Sequence, residues 1–216
     1  MLRIKYLTKT VIRIFYYLLS NEKRYLNLLV LILIYRPKKI LEIGVYNGRR
    51  SLQMIEAAKI FSKDVHYYGF DLFEDSNKSI IKRERSKTAS RINDILKLLS
   101  KHAKVLLFKG FTKQTLKRFA KKNKARVDFA FIDGGHKVET IASDYYYCKR
   151  ICKKKSIIVF DDFYSLNQPN TKKFGSNKIF FKLKDRQKIK LLPLEDKYTK
   201  NKQKINIKMF LVKNHS

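Results

Sequence analysis

Four aspartates stand at the ends of short apolar runs, where a carboxylate could bind a cation or a hydroxyl-bearing ligand. Asp71 closes the run VHYYGFD, Asp133 closes VDFAFID, and the pair Asp161 and Asp162 closes SIIVFDD. The chain has only 18 acidic residues, so this placement is informative. If the runs are parallel strands, their carboxyl ends border one crevice, which is where ligands bind in open α/β sheets.

The aspartates at the ends of the last two runs predict a metal site. Asp133, Asp161 and Asp162 would repel one another in a common crevice and raise each other's pKa, so a divalent cation is their natural partner. Ligation by oxygen alone favours Mg²⁺, Mn²⁺ or Ca²⁺ over zinc. The alternative is that these aspartates form salt bridges with the surplus of lysine.

A histidine follows the first of these aspartates in the sequence DGGH. His136 stands three residues after Asp133, on a predicted loop that faces the same crevice. There it could accept a proton near neutral pH. The alternative is a turn residue that caps the following helix.

A glycine-containing loop, LEIGVYNGRRS at residues 41–51, follows the first predicted strand. Gly44 and Gly48 would let the backbone turn sharply and approach a ligand at the start of a helix. The spacing matches neither the dinucleotide pattern nor the phosphate loop, so it leaves the ligand open. Asp71 favours an adenosine-type ligand, because an acid at the end of the second strand can bind ribose hydroxyls; its alternative role is as a turn or helix-capping residue.

Alternating apolar runs and helical patterns predict a doubly wound α/β domain. The predicted strands are residues 39–44, 65–71, 104–109, 127–133 and 156–161, and the predicted helices are residues 50–61, 91–102, 113–122 and 138–152. Two further extended segments, residues 188–192 and 204–212, are separated by a polar stretch and predict an antiparallel pair at one sheet edge. Residues 78–91 are basic and predict a loop or a surface helix.

Residues 1–36 are predicted to form an N-terminal helical extension to a domain of residues 37–216. One or two helices would pack over the sheet or at a dimer contact; the alternative is an amphipathic helix at an anionic membrane surface. The apolar run at residues 26–35 is too short to span a bilayer. Cations among the first 19 residues, with no small-residue cleavage site after them, argue against a signal peptide.

The net charge of +32, from 50 basic and 18 acidic residues, raises the question of a polyanionic partner. Nucleic acid and anionic surfaces both fit such a charge, whereas a lysine-biased composition would produce it without any partner. Cys148 and Cys152 lie four residues apart in a predicted helix, with no second Cys or His pair at metal-ligand spacing nearby. Reduced thiols in a cytoplasmic protein are expected.

These motifs together resemble the class I S-adenosylmethionine-dependent methyltransferases, and within them the macrocin-type sugar O-methyltransferases. The resemblance rests on LEIGVYNGRRS, YYGFDLF, VDFAFIDGGH with Asp144 in the next helix, IIVFDDF and the closing segment KINIKMFLVK. It is strongest over residues 38–165. It implies a Rossmann-like, mostly parallel sheet with an antiparallel closing strand and helices on both faces.

The resemblance also implies roles for individual residues. S-adenosylmethionine would be bound by Glu42, Gly44, Val45, Tyr46, Gly48, Ser51, Asp71 and Leu72. Mg²⁺ or another divalent cation would be held by Asp133, Asp161 and Asp162. His136 takes the place of a lysine found in catechol-type relatives and so inherits the role of general base, with Asp133 as a second proton acceptor. The segment Gly110 to Lys113 lacks the acid that many relatives place near adenine, which leaves Phe111 or Thr112 as candidates.

The expected activity is metal-assisted methylation of a hydroxyl group on a small molecule or sugar, with acidic or nucleotide-linked sugars among the acceptors. A nucleic-acid methyltransferase is the first alternative, favoured by the charge. However, the fourth predicted strand is followed by DGGH rather than an Asn/Asp-Pro-Pro-aromatic loop, and the chain has no Trp. A non-catalytic module that binds polyanions or a membrane and keeps a degenerate cofactor site is the second alternative.

Overall fold

Seven strands form one sheet in the order β3-β2-β1-β4-β5-β7-β6. The computed structural model describes the chain except at residues 1, 123–125, 165–170, 186–187, 201–202 and 215–216. The strands are β1 (Lys39–Ile43), β2 (His66–Asp71), β3 (Lys104–Lys109), β4 (Val127–Ile132), β5 (Cys152–Tyr164), β6 (Ile189–Lys200) and β7 (Gln203–Lys213). The first five are parallel, whereas β7 runs antiparallel to both β5 and β6. The predicted doubly wound α/β fold with an antiparallel closing strand is confirmed.

Helices connect the strands and precede them at the N-terminus. They are α1 (Leu2–Leu19), α2 (Leu26–Tyr35), α3 (Arg49–Lys59), α4 (Lys78–Glu84), α5 (Ile92–Leu99), α6 (Thr112–Lys122), α7 (Val138–Ile151) and α8 (Asn177–Leu183). The predicted helices agree with α3, α5, α6 and α7 to within a few residues. The basic segment at residues 78–91 contributes the short helix α4.

The sheet is buried on both faces because successive side chains of a strand point to opposite sides. In β1, Ile40 packs with α2 and α3 on one face, whereas Leu41 packs with α6 and α7 on the other. Phe129 and Ala130 repeat this alternation in β4. Continuous apolar runs in the sequence therefore correspond to central strands with helices on either side.

The N-terminal segment packs against this core through buried polar groups as well as apolar ones. Glu56 of α3 is fully buried and forms ion pairs with Lys9, at 2.7 Å, and with Arg13. Tyr17 of α1 is also fully buried, and its hydroxyl donates a hydrogen bond to Gln53. These contacts fix which side of α1 faces the sheet.

The polar stretch near residue 195 is the main correction to the predicted elements. It was expected to separate two extended segments, but β6 continues through it to Lys200 and pairs with β7. The reason is that the carboxylates there are neutralised by cations. Glu195 contacts Lys197 and Lys208, and Asp196, which is buried, contacts Arg24.

Two further expectations concern the cysteines and membrane-spanning helices. Cys148 and Cys152 are free, buried thiols. In the part of the chain that the structure describes, no helix is long and apolar enough to cross a membrane.

Candidate active site

The glycine loop after β1 is shaped by a close approach between two strand ends. Gly44 has a φ of 89°, and a Cβ added there would lie 1.9 Å from the carbonyl oxygen of Asp133. No other residue fits without moving the end of β4. Gly48, with a φ of 72°, precedes α3 and donates its N–H to the Val45 carbonyl at 2.9 Å. Glycine is thus required by the close approach at Gly44 and favoured by the backbone conformation at Gly48.

Asp71 joins this loop to the end of β2. One of its carboxylate oxygens accepts a hydrogen bond from the backbone N–H of Tyr46 at 2.8 Å, and the other accepts one from Phe73 at 3.2 Å. A carboxylate can accept about four hydrogen bonds, so Asp71 retains acceptor capacity. Asp71 and Leu72 both line the cavity described below.

Glu42 and Ser51 lie behind the loop. Both are buried, and Glu42 accepts hydrogen bonds from the hydroxyl groups of Ser51 and Tyr67. Burial raises the pKa of Glu42 to about 7. Neither residue lines the cavity, and nor does Gly48. Three of the eight predicted cofactor residues therefore support the loop from behind.

The two consecutive aspartates of β5 lie within a β-bulge. The pairing of β5 with β7 shifts between Phe160 and Phe163, and Asp162 adopts a φ of 58°. Bulges commonly re-aim side chains beside active sites. The Asp162 carboxylate lies 3.2 Å from Nε2 of His136, and single ligand atoms of Asp133, His136 and Asp162 all lie within 4.8 Å of one another.

Asp161 has a different partner. Its carboxylate accepts hydrogen bonds from Nε and Nη2 of Arg24 at 2.8 and 2.9 Å, and the same guanidinium contacts Asp196. Of the three predicted metal ligands, Asp133 and Asp162 offer ligand atoms close to one another and to His136, whereas Asp161 is bound by Arg24. Arg24 lies 137 residues away along the chain, and no local signal in the sequence identifies it.

Burial and mutual repulsion perturb the clustered carboxyl groups. Burial raises the pKa of Asp133 well above its ordinary value, and the charges of Asp161 and Asp162 raise it further. Burial also raises the pKa of Asp162, an effect that the nearby His136 opposes. Such a cluster is stabilised by a proton or by a bound cation.

All of these strand ends border one cavity of about 730 Å³. It is lined by Gly44, Val45, Tyr46, Asp71, Leu72, Gly110, Phe111, Thr112, Asp133, His136 and Asp162. Its wall also carries charged residues of both signs. The basic ones are Arg24, Arg49, Arg50, Arg83, Arg85, Lys87 and Lys113, and three glutamates, Glu22, Glu84 and Glu139, lie among them. The guanidinium of Arg85 stacks on the ring of Phe174 at 3.8 Å. Arg83 forms an ion pair with Glu84 at 3.3 Å, whereas none is found for Arg85 or Lys87 among the residues that the structure describes.

Comparison with protein families identifies the class to which this fold and site belong. A family model described as a methyltransferase domain matches residues 41–163, which is more than half of the chain and includes the glycine loop and the strand-end aspartates. The chain belongs to this methyltransferase domain family. No curated protein matches it significantly in sequence.

Solved structures share the fold at low sequence identity. An O-methyltransferase from Bacillus cereus, solved with S-adenosylhomocysteine, is 14% identical to this chain with a TM-score of 0.59. The alignment covers 98% of this chain and 90% of the Bacillus cereus chain. TomG, an O-methyltransferase of tomaymycin synthesis from Streptomyces achromogenes solved with S-adenosylmethionine, is 14% identical with a TM-score of 0.57, covering 90% and 81%. The N-methyltransferase NodS from Bradyrhizobium japonicum is 10% identical with a TM-score of 0.61, covering 91% and 89%. The sheet is therefore the Rossmann-like methyltransferase sheet.

The raised pKa of Glu42 predicts a specific dependence of stability on pH. Because the folded protein binds this proton more tightly than the unfolded chain, the free energy of unfolding should fall as pH rises, by about 2 kcal/mol between about pH 5.5 and about pH 8.5. Glu42→Gln keeps both acceptor contacts and removes the titration. Denaturant unfolding should show this fall in the free energy of unfolding in the wild type. In the variant, the fall over the same pH range should be smaller by that amount.

The matched control is Glu139→Gln, on the exposed side chain of a glutamate in α7, which should keep the wild-type pH profile. A profile that does not change in Glu42→Gln would contradict the assignment of this dependence to Glu42.

Proposed function

We propose that this protein transfers a methyl group from S-adenosylmethionine to a hydroxyl oxygen of a small acceptor. The observation that most supports this is the single cavity lined both by the loop around Gly44 with Asp71 and by Asp133, His136 and Asp162. Its volume of about 730 Å³ is within the range of ligand pockets. A cofactor and an acceptor can then be held in one site, where proximity lowers the barrier to transfer.

The cofactor would be bound by residues that line the cavity on the glycine-loop side. Asp71 would accept hydrogen bonds from the ribose hydroxyls with its remaining lone pairs. Val45, Tyr46 and Leu72 would contact the rest of the ligand. Phe111 and Thr112, which line the same cavity, are the candidates for adenine. When bound, S-adenosylmethionine supplies an electrophilic methyl group on a sulfonium.

Cofactor binding is tested by titration calorimetry with S-adenosylhomocysteine. The wild type should bind it, and Asp71→Ala should lose roughly tenfold to a hundredfold in affinity, because hydrogen bonds to a charged group are removed. Asp75→Ala is the matched control, since Asp75 is an exposed neighbour that contacts Lys109 and lies outside the cavity lining. Absence of binding by the folded wild type would overturn the proposal.

The oxygen of the acceptor hydroxyl would attack the methyl carbon while the carbon–sulfur bond breaks. The hydroxyl proton would pass to His136. Asp162 holds the imidazole through the 3.2 Å contact to Nε2 and would stabilise the imidazolium that forms. Asp133 is the second proton acceptor in this site. A positioned base of this kind typically contributes a factor of 10² to 10⁴ in rate.

A divalent cation is also part of the proposal. Asp133, His136 and Asp162 fit such an ion, because their ligand atoms lie within 4.8 Å of one another and burial disfavours uncompensated negative charge there. When bound, the cation would lower the pKa of the acceptor hydroxyl. An imidazole ligand moves the preference from Mg²⁺ towards transition metals. If His136 binds the ion, the proton would pass to the carboxylate oxygen of Asp133 that is not a ligand, since each residue offers one ligand atom.

Titration with Mn²⁺, followed by electron paramagnetic resonance, separates these roles. Binding should weaken at least roughly tenfold in Asp162→Asn and stay unchanged in Asp75→Asn, the exposed control. Loss of binding in His136→Gln would make His136 a ligand, whereas retained binding would make it the base. Mn²⁺ binding by wild type that Asp162→Asn leaves unaltered would contradict the proposed site.

The acceptor would be anionic, in keeping with the phosphorylated or nucleotide-linked sugars that suit a chain of net charge +32. The supporting observation concerns the basic residues of the cavity wall, of which Arg85 and Lys87 have no carboxylate at ion-pair distance among the residues described. Arg85 is also held in place by its stacking on Phe174. Charged hydrogen bonds from such groups suit a phosphate or pyrophosphate.

The acceptor class can be tested with inorganic pyrophosphate and the protein saturated with S-adenosylhomocysteine. Pyrophosphate affinity should fall at least roughly tenfold in the double variant Arg85→Gln, Lys87→Gln. The double variant Lys97→Gln, Lys101→Gln removes the same charge outside the cavity lining and should bind like wild type. Equal losses in both variants would show that only the overall charge matters.

A further inference from the structure

Helix α1 exposes an apolar stripe to solvent. Residues three and four apart lie on one side of a helix, and five large apolar side chains follow that spacing. Each of them is between 41% and 67% exposed. They are Ile4, Leu7, Val11, Phe15 and Leu18.

The exposure of this stripe is fixed by the opposite side of the helix. Tyr6, Thr10 and Tyr17 are buried against the protein. Lys9 and Arg13 are tied to the buried carboxylate of Glu56. The helix therefore cannot turn its apolar stripe inward without breaking a buried ion network, which is costly.

The stripe is wide enough to be an interaction surface. Ile12 is 61% exposed and Leu19 is 88% exposed, and both extend the stripe along one edge. Single exposed apolar residues are common, but a continuous apolar patch of this kind marks a binding surface.

The charges around the stripe distinguish between its possible partners. The first 21 residues contain no Asp or Glu, and the exposed Arg3 and Lys5 lie on either side of the stripe. A second copy would place the same cations against this face, in a protein whose net charge is +32. An anionic lipid surface instead attracts both the cations and the apolar side chains.

We propose that α1 docks this protein onto the surface of an anionic lipid bilayer. The contact is peripheral, with the apolar stripe entering the headgroup region and the adjacent cations contacting anionic headgroups. The end of α1 lies next to the cavity, because Arg49, which lines it, stacks over the ring of Tyr16 at 5.0 Å. Docking would hold the cavity near the lipid. This inference does not rest on the proposed function.

The test is co-sedimentation of the full chain with vesicles of phosphatidylcholine, alone or mixed with phosphatidylglycerol. Wild type should bind the mixed vesicles and not phosphatidylcholine alone. The double variant Ile12→Gln, Phe15→Gln should bind at least roughly tenfold more weakly, because two apolar anchors are lost. Glutamine is a good helix former, and circular dichroism verifies that the fold is kept.

The control separates docking by α1 from general adsorption of a basic protein. The double variant Leu96→Gln, Leu106→Gln changes two exposed apolar residues elsewhere and should bind like wild type. Three results would overturn the proposal. These are no binding to mixed vesicles, equal binding by both double variants, or a lipid-free dimer, seen by analytical ultracentrifugation, that Ile12→Gln, Phe15→Gln dissociates.

Discussion

The ion network around Arg24 is the interaction on which the candidate active site depends. The guanidinium is largely buried and links Asp161 of β5 to Asp196 of β6, while its side chain also lines the cavity. Removing one partner of such a network leaves an uncompensated buried charge, which is more costly than the network is stabilising. The segment between α1 and α2 is therefore bound to the carboxyl edge of the sheet. One wall of the cavity comes from a part of the chain that lies outside the matched family region.

Neutralisation of Asp161 determines what the remaining acidic groups can do. Two adjacent aspartates in a regular strand would point to opposite faces, but the bulge in β5 lets both side chains find partners near the strand end. Asp161 is bound by the guanidinium of Arg24, whereas the Asp162 carboxylate lies 3.2 Å from Nε2 of His136. This leaves Asp133, Asp162 and His136 as the groups free to exchange a proton or hold an ion.

Local patterns in the sequence predicted the features that depend on local structure. Apolar runs predicted five strands because buried parallel strands need continuous apolar residues, and Gly44 and Asp71 were identified because a turn and a strand end have short-range signatures. The contact between Arg24 and Asp161 joins residues far apart in a chain with 50 basic residues, so no spacing singles it out. The resemblance to methyltransferases places Glu42 at the cofactor, but the sequence does not show which way a strand side chain points, and Glu42 lies outside the cavity lining.

The basic residues of this chain do not form one class, and this limits what the net charge can explain. Arg13 and Arg24 neutralise buried carboxylates and so belong to the folded core. Arg85 and Lys87 line the cavity without a carboxylate partner among the described residues, and Arg3 and Lys5 flank the apolar stripe of α1. A composition bias accounts for many exposed lysines, whereas the proposals made for the cavity and for α1 depend on cations at particular positions. Position, rather than number, carries the functional information.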